Sequence, residues 1–483
     1  MWRPLCLVIS VMVLGAGCAT RVELEGGADD ASPPAGTDGN ALDWTPCAFT
    51  STIGAECAQF QVPLDYDDPE ENTLTLSVSR VPAAGDRIGA LVVNPGGPGA
   101  TASDFAISVS SILPTEVTDR FDIVGLDPRG THASAIDCGT DSSELYRVDH
   151  SPDSEEDERA LLETSREYVE GCRREAGQLL PHLGTRNVAR DIDALRAAMG
   201  DEQISYLGYS YGTAIGQIYA ELFPDRVRAM VLDGIVELGS DGTELARKQA
   251  LGFERALASF AADCDGASGC QLAPDAIAAI DELIEQVEAT PTAASPRDLG
   301  PGELKLGLVL PLYSPSLWPD LEAAVDQGLE GDGSPMVALA EEYLSLANFD
   351  VYFGVNCLDF AWPDDPEQLL ADAAQAASSA RHFGEAIVND YVRCAMWPVE
   401  SEPLPAVTAP GAPPILIVST TADPATPYEA AVSLAERLQS GVLLTYDGDG
   451  HGVVGQGVSC IDDAVVAYLV DLHPPEDGTT CGG

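Results

Sequence analysis

The chain has 483 residues, 45% of them hydrophobic, enough for one large domain carrying an insertion or a second domain. Its 78 acidic residues stand against 24 basic ones, a formal net charge of −54, and Lys248 and Lys305 are the only lysines. A field of that sign repels nucleic acid and anionic membrane surfaces, which excludes both as partners and leaves a solvated acidic surface as the plain reading.

Residues 5–14 form an apolar run preceded by Arg3 and followed by Gly15, Ala16 and Gly17, the layout of a secretory signal peptide over 1–18. The run is too short to span a membrane, which needs ~20 residues. Cys18 falls where a bacterial lipoprotein signal has its acceptor cysteine, so lipid anchoring and cleavage to a soluble form both stay open. A lipid on Cys18 is the membrane attachment the sequence offers. Residues 19–43, rich in Gly, Ala, Asp and Pro, read as a flexible tether.

Export also accounts for the cysteines. Apart from Cys6 and Cys18 there are ten: Cys47, Cys57, Cys138, Cys172, Cys264, Cys270, Cys357, Cys394, Cys460 and Cys481. None has the C-x-x-C spacing of a zinc or redox site, and an even number in an oxidising compartment favours disulfides. Sequence does not fix connectivity; pairing each cysteine with its neighbour gives five short or medium loops.

From residue 74 short apolar runs alternate with helical ones, which predicts an α/β fold: a mostly parallel central sheet with helices on both faces. Strands are expected at 74–81, 90–94, 121–126, 204–207, 229–232, 415–419 and 442–446. Helices are expected at 153–175, 187–199, 213–223, 427–438 and 461–472. Residues 238–402 break the alternation with helical periodicity alone, as at 251–262, 276–287 and 335–347, and read as a helical lid inserted into the sheet domain. The core is then split into 44–237 and 403–483.

Gly208-Tyr209-Ser210-Tyr211-Gly212 lies between an expected strand and an expected helix, the setting of a nucleophile elbow. Glycine is frequent, 46 of 483 residues, so the pattern needs support from its surroundings. A serine hydroxyl is a poor nucleophile near neutral pH and requires a base, a group that orients the base, and donors for the oxyanion. Of six histidines only His451, in Gly448-Asp449-Gly450-His451-Gly452, follows the last expected strand and precedes the last helix. The orienting acid is expected at Asp423, on the loop leaving strand 415–419, with Asp233 as its rival. The turn Asn94-Pro95-Gly96-Gly97-Pro98-Gly99 offers an oxyanion donor from Gly96 or Gly97, and the second is expected from the N–H of Tyr211. Arg129, in Asp127-Pro128-Arg129-Gly130, is expected to brace the site against a buried carboxylate.

The segments NPGGPG, FDIVGLDPRG, YLGYSYGTAIGQIYAELFP, MVLDGIVE, STTADPATP and GDGHG resemble the secreted tripeptidyl aminopeptidases of actinobacteria, an α/β-hydrolase family related to proline iminopeptidases. The resemblance runs from Cys47 to Cys481. It implies the triad roles for Ser210, Asp423 and His451, peptide substrates, release of short peptides, often tripeptides, from a free N-terminus, and neither metal nor cofactor. His132 stands where the family usually has glycine and Glu237 where it usually has aspartate. Recognition of a substrate ammonium calls for carboxylates facing the cleft, for which Asp359 and Glu237 are the candidates. A secreted esterase or lipase is the rival within enzymes, and a non-catalytic binding protein on the same scaffold is the rival outside them. Oligomeric state is left open.

Overall fold

A computed structural model describes residues 42–48 and 54–482. The leader with Cys18, and the tether as far as residue 41, lie outside the described residues. Among those described, ten strands form one sheet: β1 (Thr45–Pro46), β2 (Glu56–Pro63), β3 (Thr73–Val81), β4 (Gly89–Asn94), β5 (Phe121–Leu126), β6 (Ile204–Tyr209), β7 (Val227–Asp233), β8 (Ile415–Ala422), β9 (Gly441–Asp449) and β10 (Thr479–Gly482). Their order across the sheet is β1-β2-β3-β5-β4-β6-β7-β8-β9-β10. The pairs β1-β2, β2-β3 and β3-β5 are antiparallel and the others are parallel, so the fold is the expected α/β-hydrolase sheet.

The period of two in the central strands divides their side chains between two cores. Val92, Val124, Tyr206, Met230, Leu232, Ile415 and Ile417 face one cluster, which the helices Glu155–Glu175, Thr185–Met199, Tyr211–Leu222 and Tyr428–Arg437 cover. Leu91, Val93, Ile123, Leu207, Val231, Leu416 and Val418 face the other, covered by Ala102–Val109 and Ser459–Asp471. Burial on both sides explains why these strands read as mostly apolar runs.

The chain moves from β4 to β5 in one direction and from β5 to β6 in the other, so the sheet has a switch point beside β4. In such sheets ligands bind outside the carboxyl ends of the strands at that crevice. Asn94, the end of β4, is in register with Gly208, near the end of β6, which sets the Gly96-Gly97 turn beside Ser210.

Between β7 and β8 the described chain is helical, from Gly242–Gly266 to Gly384–Asn389, with one isolated bridge between Thr292 and Leu299. The helices up to Ser334–Ser345 close on a core of their own around Phe253, Phe260, Leu283, Leu321 and Val337. Phe349–Asp359 and Pro366–Ala376 instead add Phe353 and Leu369 to the core of the sheet. Five disulfides join the cysteines in sequential pairs: Cys47–Cys57, Cys138–Cys172, Cys264–Cys270, Cys357–Cys394 and Cys460–Cys481. No described helix is long and apolar enough to cross a membrane.

Candidate active site

Ser210 occupies the single residue between β6 and the helix Tyr211–Leu222, with φ 54° and ψ −126°. A positive φ strains a residue that carries a Cβ, by ~1–3 kcal/mol. The two glycines of the motif are required by close approach. A Cβ on Gly208 would stand 2.5 Å from the carbonyl oxygen of Gly212, and one on Gly212 would stand 2.7 Å from that of Asn94.

The neighbouring turn divides its glycines between two tasks. Gly96, at φ 101°, lies so close to the elbow that a Cβ would come within 2.7 Å of the Tyr209 carbonyl oxygen. Its N–H already donates to Asn94 Oδ1 at 3.0 Å, so Gly96 is corrected from oxyanion donor to spacer. Gly97 and Tyr211 line the same cavity as Ser210. Tyr211 opens its helix, so its N–H has no carbonyl one turn back to meet.

Beyond a bulge, Ala422 of β8 pairs with Asp449 of β9, which places the loops that follow them side by side. His451 Nδ1 lies 2.9 Å from both Asp423 carboxylate oxygens. Asp423 is held in turn by the N–H groups of Ala425 and Thr426, each 2.9 Å from Oδ1, and by Thr426 Oγ1, 2.9 Å from Oδ2. Thr426 Oγ1 also lies 3.2 Å from His451 Nδ1. Thr426 is not among the residues expected from sequence, although its place three residues after an acid in a tight loop marks a turn hydroxyl.

The His451 ring meets the Tyr313 ring edge-on at 5.3 Å, and the main-chain N–H of His451 donates to the Tyr313 carbonyl at 2.9 Å. That main-chain bond anchors the histidine loop to the inserted helices. Burial opposes a charge on the imidazole, but the Asp423 carboxylate outweighs it, so the pKa of His451 is raised above 6.5. With Nδ1 engaged, Nε2 is the nitrogen available to a hydroxyl; among the described residues no hydrogen bond joins it to Ser210 Oγ, a contact that commonly tightens only when substrate binds.

Asp233, the rival acid, has a different place. Its carbonyl accepts the N–H of Ser210 at 2.9 Å, while Oδ2 accepts those of Val453 and Val454 at 2.7 and 2.8 Å. It therefore links the elbow to the chain just beyond His451. Burial raises its pKa to about 6.

Asp359 is corrected from cleft wall to buried brace. It is 3% exposed, and its carboxylate accepts the N–H of Thr185 at 3.2 and 3.1 Å and the hydroxyl at 2.5 Å, at the start of the helix Thr185–Met199. Thr185 Oγ1 in turn lies 2.7 Å from Tyr211 OH. Burial pushes the Asp359 pKa up to about 7. Its contribution to stability is fully present below the unfolded value, near 4, and is lost as pH rises through about 7. The loss is on the order of 4 kcal/mol. Asp359→Asn should therefore flatten the fall in melting temperature between about pH 4.5 and pH 7.5; a variant that falls as steeply as the parent would refute this.

Glu237 does line the cavity, where Lys248 Nζ stands 2.6 Å from its Oε2. The cavity, about 350 Å³, is lined by Ser210, Gly97 and Tyr211 together with Tyr352, Trp362 and Tyr391. Trp362 and Tyr391 stack at 4.5 Å. Arg129 is fully buried and pairs with Asp191 at 2.7 Å, fastening the β2–β3 connection to Thr185–Met199 through bonds to the carbonyls of Pro63 and Leu64. His132, at φ 46°, holds a conformation suited to glycine and lies 2.8 Å from Asp127.

Residues 378–481 match the family model described as TAP-like protein. Over almost its whole length the chain is similar to the serine protease Hip1 of Mycobacterium tuberculosis, 38% identical over 515 aligned positions that cover 99% of this chain and 97% of that protein. It is 36% identical to carboxylesterase B of the same species, over 91% of this chain and 89% of that one. It is 34% identical to the tripeptidyl aminopeptidase of Streptomyces lividans, over 91% and 86%.

Proposed function

The chain belongs to the TAP-like family of α/β-hydrolases, and we propose that it is an exported serine peptidase that releases short peptides, tripeptides among them, from a free N-terminus. The observation that carries the proposal is the contact of Asp423 with His451 at the sheet edge where Ser210 stands on a strained elbow. Relatives named serine protease and tripeptidyl aminopeptidase support the peptide substrate. Five disulfides fit an oxidising compartment, and a lipid on Cys18 or cleavage after export would fit the same setting.

In this mechanism His451 Nε2 takes the Ser210 proton as Oγ attacks the scissile carbonyl. Asp423 holds the imidazole in one tautomer and stabilises its cation, and the N–H groups of Gly97 and Tyr211 receive the oxyanion. His451 then gives its proton to the leaving amine, and water releases the acyl group by the reverse roles. The inserted helices act as a lid that restricts what reaches Ser210, and Glu237 in the cavity wall meets the substrate's ammonium group.

The base must be neutral to accept the proton. Activity should therefore rise with pH through a midpoint above 6.5, and Asp423→Asn should move that midpoint down. A pH profile of kcat/KM with a midpoint below 6.5 in the parent would contradict it. Carboxylesterase B keeps an ester substrate in view as the second reading. Comparing a tripeptide amide substrate with its N-acetylated form tests the aminopeptidase reading: the free amine should be cleaved faster, and equal rates would count against it.

A further inference from the structure

In a chain with two lysines, one stands in the wall of the cavity that holds Ser210. Lys248 Nζ is 2.6 Å from Glu237 Oε2 and 3.8 Å from Glu244 Oε1. One cation thus sits between two carboxylates. Farther along the same helix Arg255 pairs with Glu429 at 2.8 Å, one to one. All five groups line the cavity, and three carboxylates against two cations leave one negative charge.

We propose that Lys248 is a specificity-determining residue: its ammonium occupies Glu237 in place of a substrate's amino terminus and so limits how strongly the cleft selects free-amine peptides. The proposal rests on the reading that Glu237 meets the substrate's amino group. A primary ammonium on a substrate and the one on Lys248 offer Glu237 the same charge and the same donors, so they compete for it. An ion pair whose Lys248 side chain is 38% exposed adds little to the stability of the fold, which separates this role from a structural one. Glu244 provides the second carboxylate, toward which Lys248 can move when a substrate ammonium takes Glu237.

The test uses the full chain with Lys248→Met, Lys248→Arg and Glu237→Gln, each measured on a free-amine tripeptide amide and on its N-acetylated form. The readout is the ratio of kcat/KM for the free form to that for the acetylated form. Lys248→Met should raise the ratio about fivefold, with the gain in KM rather than kcat. Lys248→Arg keeps the cation and should keep the ratio, while Glu237→Gln should lower it. A ratio unmoved or lowered in Lys248→Met overturns the inference, as does an equal change in both substrates. The parent ratio reports separately on the aminopeptidase reading: a parent indifferent to acetylation sinks that reading, yet a raised ratio in Lys248→Met would still support the role of Lys248.

Discussion

Replacing Ser210 with alanine should lower kcat by about 10⁴- to 10⁶-fold while the protein stays folded. The Ser210 side chain makes no capping hydrogen bond to its helix, so its removal takes nothing from the fold. Glycine at the same position would also be inactive, and because it tolerates φ 54° without strain it should be more stable than the parent by ~1 kcal/mol. Circular dichroism and thermal melts of the three proteins, beside their rates, separate loss of the nucleophile from loss of structure. An alanine variant that keeps more than a trace of activity would move the nucleophile elsewhere.

The second large effect concerns the acid. Asp423→Asn should lower kcat by about 10³- to 10⁴-fold, because an amide facing His451 Nδ1 favours the wrong tautomer and gives no charge to balance the imidazolium. Asp233→Asn should cost much less. Its Oδ2 only accepts main-chain N–H groups from Val453 and Val454, which an amide oxygen can also do. Kinetics on the two variants therefore decide between an aspartate that ends β7 and one that directly follows β8. A larger loss in Asp233→Asn would exchange their roles.

The central strands are readable in sequence because each is buried on both faces, so β4, β5 and β8 appear as apolar runs bounded by glycine, proline or aspartate. β2 carries the weaker signature of a half-buried strand, with Ala58, Phe60 and Val62 alternating with more exposed residues, and is absent from the expected strands. β10, Thr-Thr-Cys-Gly, has almost no apolar pattern and is tied down by Cys460–Cys481. The helix Ala102–Val109 is hidden by the proline- and glycine-rich turn before it. The expected boundary at 402 rests on periodicity, which cannot tell that Phe353 and Leu369 pack into the core of the sheet.

At the site, chain order admits both Asp233 and Asp423, which lie between Ser210 and His451, and what separates them is lateral: the register of Ala422 with Asp449 brings one loop to His451. The same kind of information is missing for Asp359. An acid beside Cys357 looks available in sequence, and only packing shows that it is turned onto Thr185. Gly96 and Gly97 are alike as letters, but Gly96 packs against the elbow and gives its N–H to Asn94.

The most direct measurement of the central claim is covalent. Full-length protein treated with a fluorophosphonate and digested should carry one adduct, on the peptide containing Ser210, and the label should disappear in Ser210→Ala. Label on another residue, or label that persists in the alanine variant, would contradict the assignment of Ser210 as the nucleophile.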